Sequence, residues 1–390
     1  MIILSLASKQ IWPQVLVVSH LRPEKIFLLH SSDYNESKGP AQRLKRFFDE
    51  SGLIPKGGTK MEEISDADFH SVESALGQIQ TSHALALENC VVNFTGGNKL
   101  MATAAFRWAA RHAKACYLER RNQLTWFHAP DGQMITTTEP IDTKINNDIC
   151  PVELLRCQID SSEIERKGQK LFLNDKGKNL SDEDIQRIII NGSDPIAYLR
   201  VEGEADAVKN KGDILEYLAA LVLLHQGVLQ VQRSLRLKVK SAKGVGTRLP
   251  HAEIDLLFNW NGRLWLVDCK DRKPESDLID GLIALLPTLL KSNGEINMLL
   301  KRIGDELSIG QTKVLKEDLL AIRETGGLLG NIICIRKSPM TEEVEQFARH
   351  NKIEVIMKGD ILNKIKTILY PDRHALPLEI DQLAVHFNKK

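Results

Sequence analysis

At 390 residues the chain has room for two or three domains, each with a core of its own. Hydrophobic residues make up 43% and charged residues 26%, an ordinary soluble balance, and no run of about 18 apolar residues exists that could span a membrane. A formal net charge of +1 excludes a globally basic nucleic-acid binder, so any electropositive surface has to be local.

Up to residue 128 strand and helix signals alternate. Ile2–Leu6, Lys25–His30, Cys90–Phe94 and Ala115–Glu119 are short β-rich runs, separated by helical patterns at Ala41–Ser51, Phe69–Leu87 and Leu100–His112. Such alternation predicts βαβ units and a mainly parallel sheet, followed by a hairpin-like tail at Leu124–Ala129. Met1–Lys9 lacks a basic n-region and reads as a first core strand rather than a signal peptide, which predicts a cytoplasmic protein. Residues 131–204 are polar and weakly periodic, and predict a linker with a small helical insert opened by a Ser181–Asp184 capping box. Asp213–His225 is apolar almost all round and stops at Gly227, so it predicts a buried helix. Val228–Val239 and Ala252–Asp268 supply strands, Leu278–Leu290 and Glu317–Glu324 further helices. Ile332–Ile335, Thr341–His350 and Glu354–Met357 close the chain as strand, helix, strand. The expectation is α/β throughout, with domains at 1–130 and 205–390. Six cysteines (90, 116, 150, 157, 269, 334) form no Cys-x-x-Cys pair and read as reduced, mostly buried thiols.

Two stretches carry chemistry. The first, Val91-Val-Asn-Phe-Thr95-Gly-Gly-Asn-Lys99-Leu-Met101, joins a strand to a helix through two glycines. Free backbone N–H groups, the positive end of the helix dipole and Lys99 make this turn friendly to anions, although its spacing is not that of a Walker loop. Plain turn geometry accounts for the glycines equally well.

The second is His251-Ala-Glu-Ile-Asp255 and Asp268-Cys-Lys270, on either side of Asn261-Gly262. An Asn-Gly pair between apolar β-formers predicts a two-residue type I′ hairpin. Trp260 then pairs with Arg263, Asp255 lies opposite Asp268, and Glu253 lies opposite Lys270. Strand alternation puts Glu253, Asp255, Asp268 and Lys270 on one face, where like charges repel unless a divalent cation compensates. With Glu216 on the preceding helix, this is a hard-oxygen donor set suited to Mg²⁺ or Mn²⁺. Lys270 would orient a water and neutralise charge on a phosphate. Glu216 also fits as the capping-box partner of Asp213, and the two roles can coexist. The Cys269 side chain is expected to pack on the opposite face. Arg233, Arg236, Lys238, Lys240, Lys243 and Arg248 form a basic run that suits a nucleic-acid backbone, or an edge strand protected by lysines.

Asp255, Asp268-Cys-Lys270 and Glu216 resemble the PD-(D/E)XK nuclease superfamily. The resemblance implies a restriction-endonuclease-like fold in which Glu216, Asp255, Asp268 and the Cys269 carbonyl hold the metal. Phe94-Thr-Gly-Gly-Asn-Lys-Leu-Met101 after a strand resembles the CARF (CRISPR-associated Rossmann fold) domains, which are Rossmann-like. It implies a pocket for a cyclic oligoadenylate lined by Thr95, Gly96, Gly97, Asn98, Lys99 and Met101, with Ser8, Gln10, Ser31 and Ser32 from neighbouring strand ends. In this order the two resemble the ligand-activated effector nucleases of type III CRISPR systems. That family implies a homodimer around cyclic tetra-adenylate and metal-dependent cleavage of single-stranded RNA or DNA, with nicking of supercoiled DNA in some members. A ligand-controlled DNA-binding regulator, with Ser181–Asn191 in a winged helix, is the alternative from another class. An enzyme that only degrades its cyclic ligand is a third.

Overall fold

The computed structural model describes residues 1–9, 11–65, 68–119, 122–129, 132–159, 164–203, 211–237, 253–270, 331–340 and 342–371. Two sheets organise them. The first holds β1 (Ile2–Leu6), β2 (Lys25–His30), β3 (Thr59–Glu63), β4 (Cys90–Asn93), β5 (Lys114–Leu118), β6 (Gln123–His128) and β7 (Ile135–Pro140), in the order β3-β2-β1-β4-β5-β6-β7. The strands from β3 to β5 pair in parallel, and β6 and β7 add an antiparallel edge. α1 (Trp12–Leu21), α2 (Gly39–Ser51), α3 (Phe69–Ser82) and α4 (Lys99–His112) supply the crossovers. α1 has Pro13 in its first turn and buries Val15, Leu16, Val17 and Val18 in succession. It has no polar stripe, which is why periodicity does not mark it as amphipathic.

The second sheet holds β8 (Ile164–Arg166), β9 (Gln169–Leu173), β10 (Leu199–Gly203), β11 (Val231–Leu237), β12 (Glu253–Trp260), β13 (Arg263–Lys270), β14 (Asn331–Arg336) and β15 (Ile353–Met357). Its order is β10-β9-β11-β12-β13-β14-β15, with β8 also on β11. α5 (Pro151–Gln158), α6 (Asp175–Lys178), α7 (Asp182–Asn191), α8 (Lys211–His225), α9 (Glu342–His350) and α10 (Ile361–Leu369) surround it. α7 opens on the expected box, with Ser181 and Asp184 each accepting the other's backbone N–H.

Residues 131–204, expected as a linker, supply β7 to the first sheet and β8, β9 and β10 to the second. One apolar cluster covers the inner faces of both sheets, joining Ile3 and Leu28 to α1, α2 and α5 and on to Leu257, Leu264 and Leu266. A second packs α7, α8 and α10 on the outer face of the second sheet. The two halves are also tied by α2: Arg43 Nε donates to the Cys157 carbonyl at 2.8 Å and Arg46 Nη2 to that of Arg156 at 2.6 Å. The helices expected at 278–290 and 317–324 lie outside the described residues. Among the described residues no helix is long and apolar enough to cross a membrane.

Candidate functional site

The hairpin forms in the expected register. Trp260 pairs with Arg263 and the ladder runs to Leu256–Val267. Asn261 (φ 53°) and Gly262 (φ 70°) both take the left-handed conformation that a type I′ turn needs. The next residues in register are Asp255 and Asp268. There Asp255 Oδ2 accepts the Cys269 N–H at 2.7 Å, a carboxylate standing in for a ladder carbonyl.

Simple alternation breaks at this point. Ser234, opposite Asp255 on β11, has φ 52° and leaves a gap in the pairing between Arg233–Leu256 and Leu235–Ile254. Ile254 consequently joins the inner core while Leu256 and Phe258 face α8. The expectation that Glu253, Asp255, Asp268 and Lys270 share one face is corrected for Glu253, which this break turns towards α8, while Asp268 and Lys270 stay together and Asp255 stays beside Asp268. Glu253 pairs with Arg236 at 3.5 Å and adds negative charge beside Glu216. Asp268 is only 3% exposed and holds Lys270 Nζ at 2.7 Å. Cys269 packs towards the α8 cluster, as expected. Burial and then the Asp268 charge push the Asp255 carboxyl well above the usual carboxylate range.

Glu216 enters from α8. Burial pushes its carboxyl up to about 7 against the opposing pull of Arg233. Lys211 and Gly212 are already helical, so Asp213 lies inside α8 and does not cap it. Asp213 and Glu216 instead share Arg233, whose Nη2 is 2.9 Å from Asp213 Oδ1 and whose Nε is 2.7 Å from Glu216 Oε2. Arg233 is 2% exposed and cannot reach a nucleic-acid backbone, so its place in the basic run is corrected: it is a core cation. Arg236 is exposed; Lys238, Lys240, Lys243 and Arg248 lie outside the described residues. Tyr217 and Gln169 complete the Arg233 environment and were not anticipated. Their one signal was Asp213, Glu216 and Tyr217 on an otherwise apolar helix.

The donor chemistry suits a hard divalent cation, because two desolvated carboxylates crowd each other at Asp255 and Asp268 and a third stands nearby. Among the described residues no three such groups converge closely enough to hold a metal, Lys270 and Arg233 lying against Asp268 and Glu216.

The Gly-Gly turn lies beside β1, where β2 and β4 flank it and the strand order reverses, the position at which open α/β sheets bind ligands. Gly96 is indispensable to the packing: a Cβ there would stand 2.0 Å from the Leu6 carbonyl and 2.4 Å from Gln14 Nε2. Gly97 has φ 76°, and Asn98 caps α4 by accepting the Met101 N–H at 2.8 Å. The Thr95 hydroxyl donates to Asn93 Oδ1 at 2.7 Å and accepts the Leu118 N–H at 2.8 Å. Met101 is buried in the core, and the buried Ser31 hydroxyl hydrogen-bonds Ser37 at 2.8 Å. The face presented outward is therefore the backbone of Gly97 and Asn98 with the side chains of Asn98, Lys99, Ser8 and Ser32; Gln10 lies outside the described residues. Lys9 and Lys38 stand at the same strand ends, paired with Glu36 and Glu63. Asn93 and Gln14, which brace the turn, were missed. A buried Asn ending an apolar strand was the available hint.

Residues 2–146 match the family model of the Card1 CARF domain. The N-terminal unit is a CARF domain. No curated protein sequence matches the chain. Among solved structures, protein VC1899 from Vibrio cholerae is similar at 13% identity with a TM-score of 0.54, covering 95% of this chain and 97% of that one. Can2 from Sulfobacillus thermosulfidooxidans, solved in complex with cyclic tetra-adenylate, is similar at 13% identity with a TM-score of 0.50, covering 93% of this chain and 95% of that one. At these identities the likeness is one of fold, and it extends from the CARF domain across the second α/β unit.

Proposed function

We propose that the chain is a homodimeric effector of type III CRISPR defence, in which a cyclic oligoadenylate bound by the CARF domain switches on a divalent-metal-dependent nuclease of the PD-(D/E)XK kind. The observation that carries this reading is the hairpin β12–β13. Its open end bears Asp255, Asp268 and Lys270, with Glu216 alongside. Its turn docks on the first half of the chain: Asn259 Nδ2 donates to the Asn146 and Ile149 carbonyls at 2.5 and 2.9 Å, and Asn261 N–H to Asn147 Oδ1 at 2.6 Å. Arg263 reaches Asn122 Oδ1 at 3.0 Å. Strand rise puts the two ends roughly 20 Å apart on one continuous piece of sheet.

Glu216, Asp255, Asp268 and the Cys269 carbonyl would hold Mn²⁺ or Mg²⁺, which when bound supplies Lewis-acid polarisation of a phosphodiester. Lys270, now on Asp268, is placed to meet negative charge developing on the phosphate. Asp255 ties the two strands together at this end by accepting the Cys269 N–H. At the other end, backbone N–H groups of Gly97 and Asn98 and the Lys99 side chain offer donors to ligand phosphates, a role favoured by the cyclic tetra-adenylate in Can2. The ligand acts by preferring the nuclease-competent state. The DNA-binding alternative has no such support, because α7 buries Ile185, Ile188 and Ile189 in the second core.

The test is cleavage of labelled single-stranded RNA and DNA and of supercoiled plasmid with Mn²⁺, with and without cyclic tetra-adenylate. Asp268→Asn is expected to lower the stimulated rate on the order of 100-fold or more, the scale of losing a main electrostatic group. Equal rates for the two proteins would remove the assignment.

A further inference from the structure

Two arginines are buried in the second sheet, and their surroundings differ. Arg233 is balanced by Asp213 and Glu216, and its Nη1 also donates to Gln169 Oε1 at 3.0 Å and to the Tyr217 hydroxyl at 3.2 Å. Arg336, the last residue of β14, is 4% exposed. Its Nε and Nη1 are both buried, and among the described residues neither meets an acceptor. A guanidinium cannot shed its proton as a buried lysine can. An ionised group held out of water without a counter-charge is costly for a fold to keep.

The neighbours of Arg336 do not supply that charge. Strand alternation puts it on the face that carries Ile332 and Cys334 on β14 and Leu264 and Leu266 on β13. Asp268 and Lys270 share this face by the same alternation. In the parallel register Arg336 lies between Lys270 on β13 and Met357 on β15. One row back stand Asp268, Cys334 and Val355. Asp268 is the one acid in these two rows, and it is already engaged. Lys270 Nζ lies 2.7 Å from its Oδ1, and Cys334 Sγ donates to its Oδ2 at 3.6 Å. Two cations thus stand side by side at the carboxyl ends of parallel strands, where open α/β sheets bind ligands, with one carboxylate for both.

We infer that Arg336 is a substrate-binding residue that takes a phosphate of the nucleic-acid strand at the Asp268–Lys270 end of the hairpin. The fixed fork of donors on a guanidinium matches a phosphate, and the anion supplies the charge that the fold withholds. The inference rests on the nuclease reading and deepens it by naming a contact to the substrate backbone.

The test is binding of a fluorescently labelled single-stranded oligonucleotide to the full-length protein, in EDTA with cyclic tetra-adenylate, over a series of salt concentrations. Wild type, Arg336→Met and Arg336→Lys are compared. Arg336→Met is expected to bind about 10-fold or more weakly, the scale of one charged hydrogen bond. Its slope of log affinity against log salt should flatten by about 0.7, the loss of one phosphate contact on a single strand. Its melting temperature without oligonucleotide should hold or rise, because the change removes an uncompensated buried charge. Arg336→Lys should keep the slope. Wild-type affinity and slope in Arg336→Met would overturn the inference, and so would lowered melting with an unchanged slope, which marks a structural arginine. If Arg336→Met fails to fold, Arg336→Lys decides: weaker binding with unchanged melting supports the contact, and unchanged binding removes it. Tight displacement of the oligonucleotide by inorganic phosphate, lost in Arg336→Met, would make a free anion the occupant and overturn the substrate role. A wild type that neither binds nor cleaves the strand would remove the nuclease reading itself; one that does both beside an unaltered variant removes only the role of Arg336.

Discussion

The Gly-Gly turn and the acidic hairpin build their sites in opposite ways. At the turn the chemistry offered outward is largely backbone, and the side chains around it serve as braces: Thr95 on Asn93 and Leu118, Gln14 on Leu6, Asn98 on Met101. At the hairpin the chemistry is in side chains pressed together out of water, and the backbone gives way, with Asp255 taking a ladder N–H and Ser234 adopting positive φ. A backbone site is vulnerable to bulk, and a charge-crowded site to changes of charge and pH.

The largest effect outside the hairpin carboxylates is expected from Gly96→Val. Displacing the Leu6 carbonyl and Gln14 amide should cost about 2–3 kcal/mol, read as a lowered melting temperature, together with loss of the thermal shift given by cyclic tetra-adenylate. A stable variant that still binds ligand would break the comparison. Gly262→Val places a side chain at φ 70° and against Leu16, 2.8 Å from the new Cβ. It is expected to cost about 1–2 kcal/mol and to lower ligand-stimulated cleavage more than basal cleavage, because it loosens the docked turn and leaves both sites standing. Equal loss of both activities would argue against a coupling role for the hairpin.

Thr95→Val should cost about 1–2 kcal/mol by leaving the Leu118 N–H without its acceptor, with ligand affinity changed only a few-fold once folded. Unchanged melting with abolished binding would make the hydroxyl a direct ligand contact instead. The smallest effect concerns Glu216. Its folded carboxyl titrates near 7, above the unfolded value near 4.5, so the fold favours the protonated form. Metal-free wild type should therefore lose stability relative to Glu216→Gln as pH rises through this window, and the difference should vanish below it. Added Mn²⁺ should reverse the trend in wild type, since the cation binds the ionised carboxylate. Parallel melting profiles across pH 4 to 8 would show that Glu216 is not desolvated.

The amino-acid order by itself determined what local rules govern. The Asn261-Gly262 turn and its register follow from φ requirements and strand pairing, and β1 and β2 from contiguous apolar runs. The α7 capping box follows from two residues three apart, and the CARF assignment from one strand–turn–helix motif. Tertiary structure decided what depends on partners distant in sequence. Arg233 looked like part of a basic track because its neighbours are basic; only the packing of α8 on β11 made it the counter-ion of Asp213 and Glu216. α1 was silent because a helix buried on all sides has no polar stripe to give it a period. Residues 131–204 read as connection because edge strands such as Ile135–Pro140 are largely exposed and carry little apolar signal. The slip in alternation at Asp255 depends on a positive φ at Ser234 in another strand, and nothing in the local sequence of the hairpin announces it.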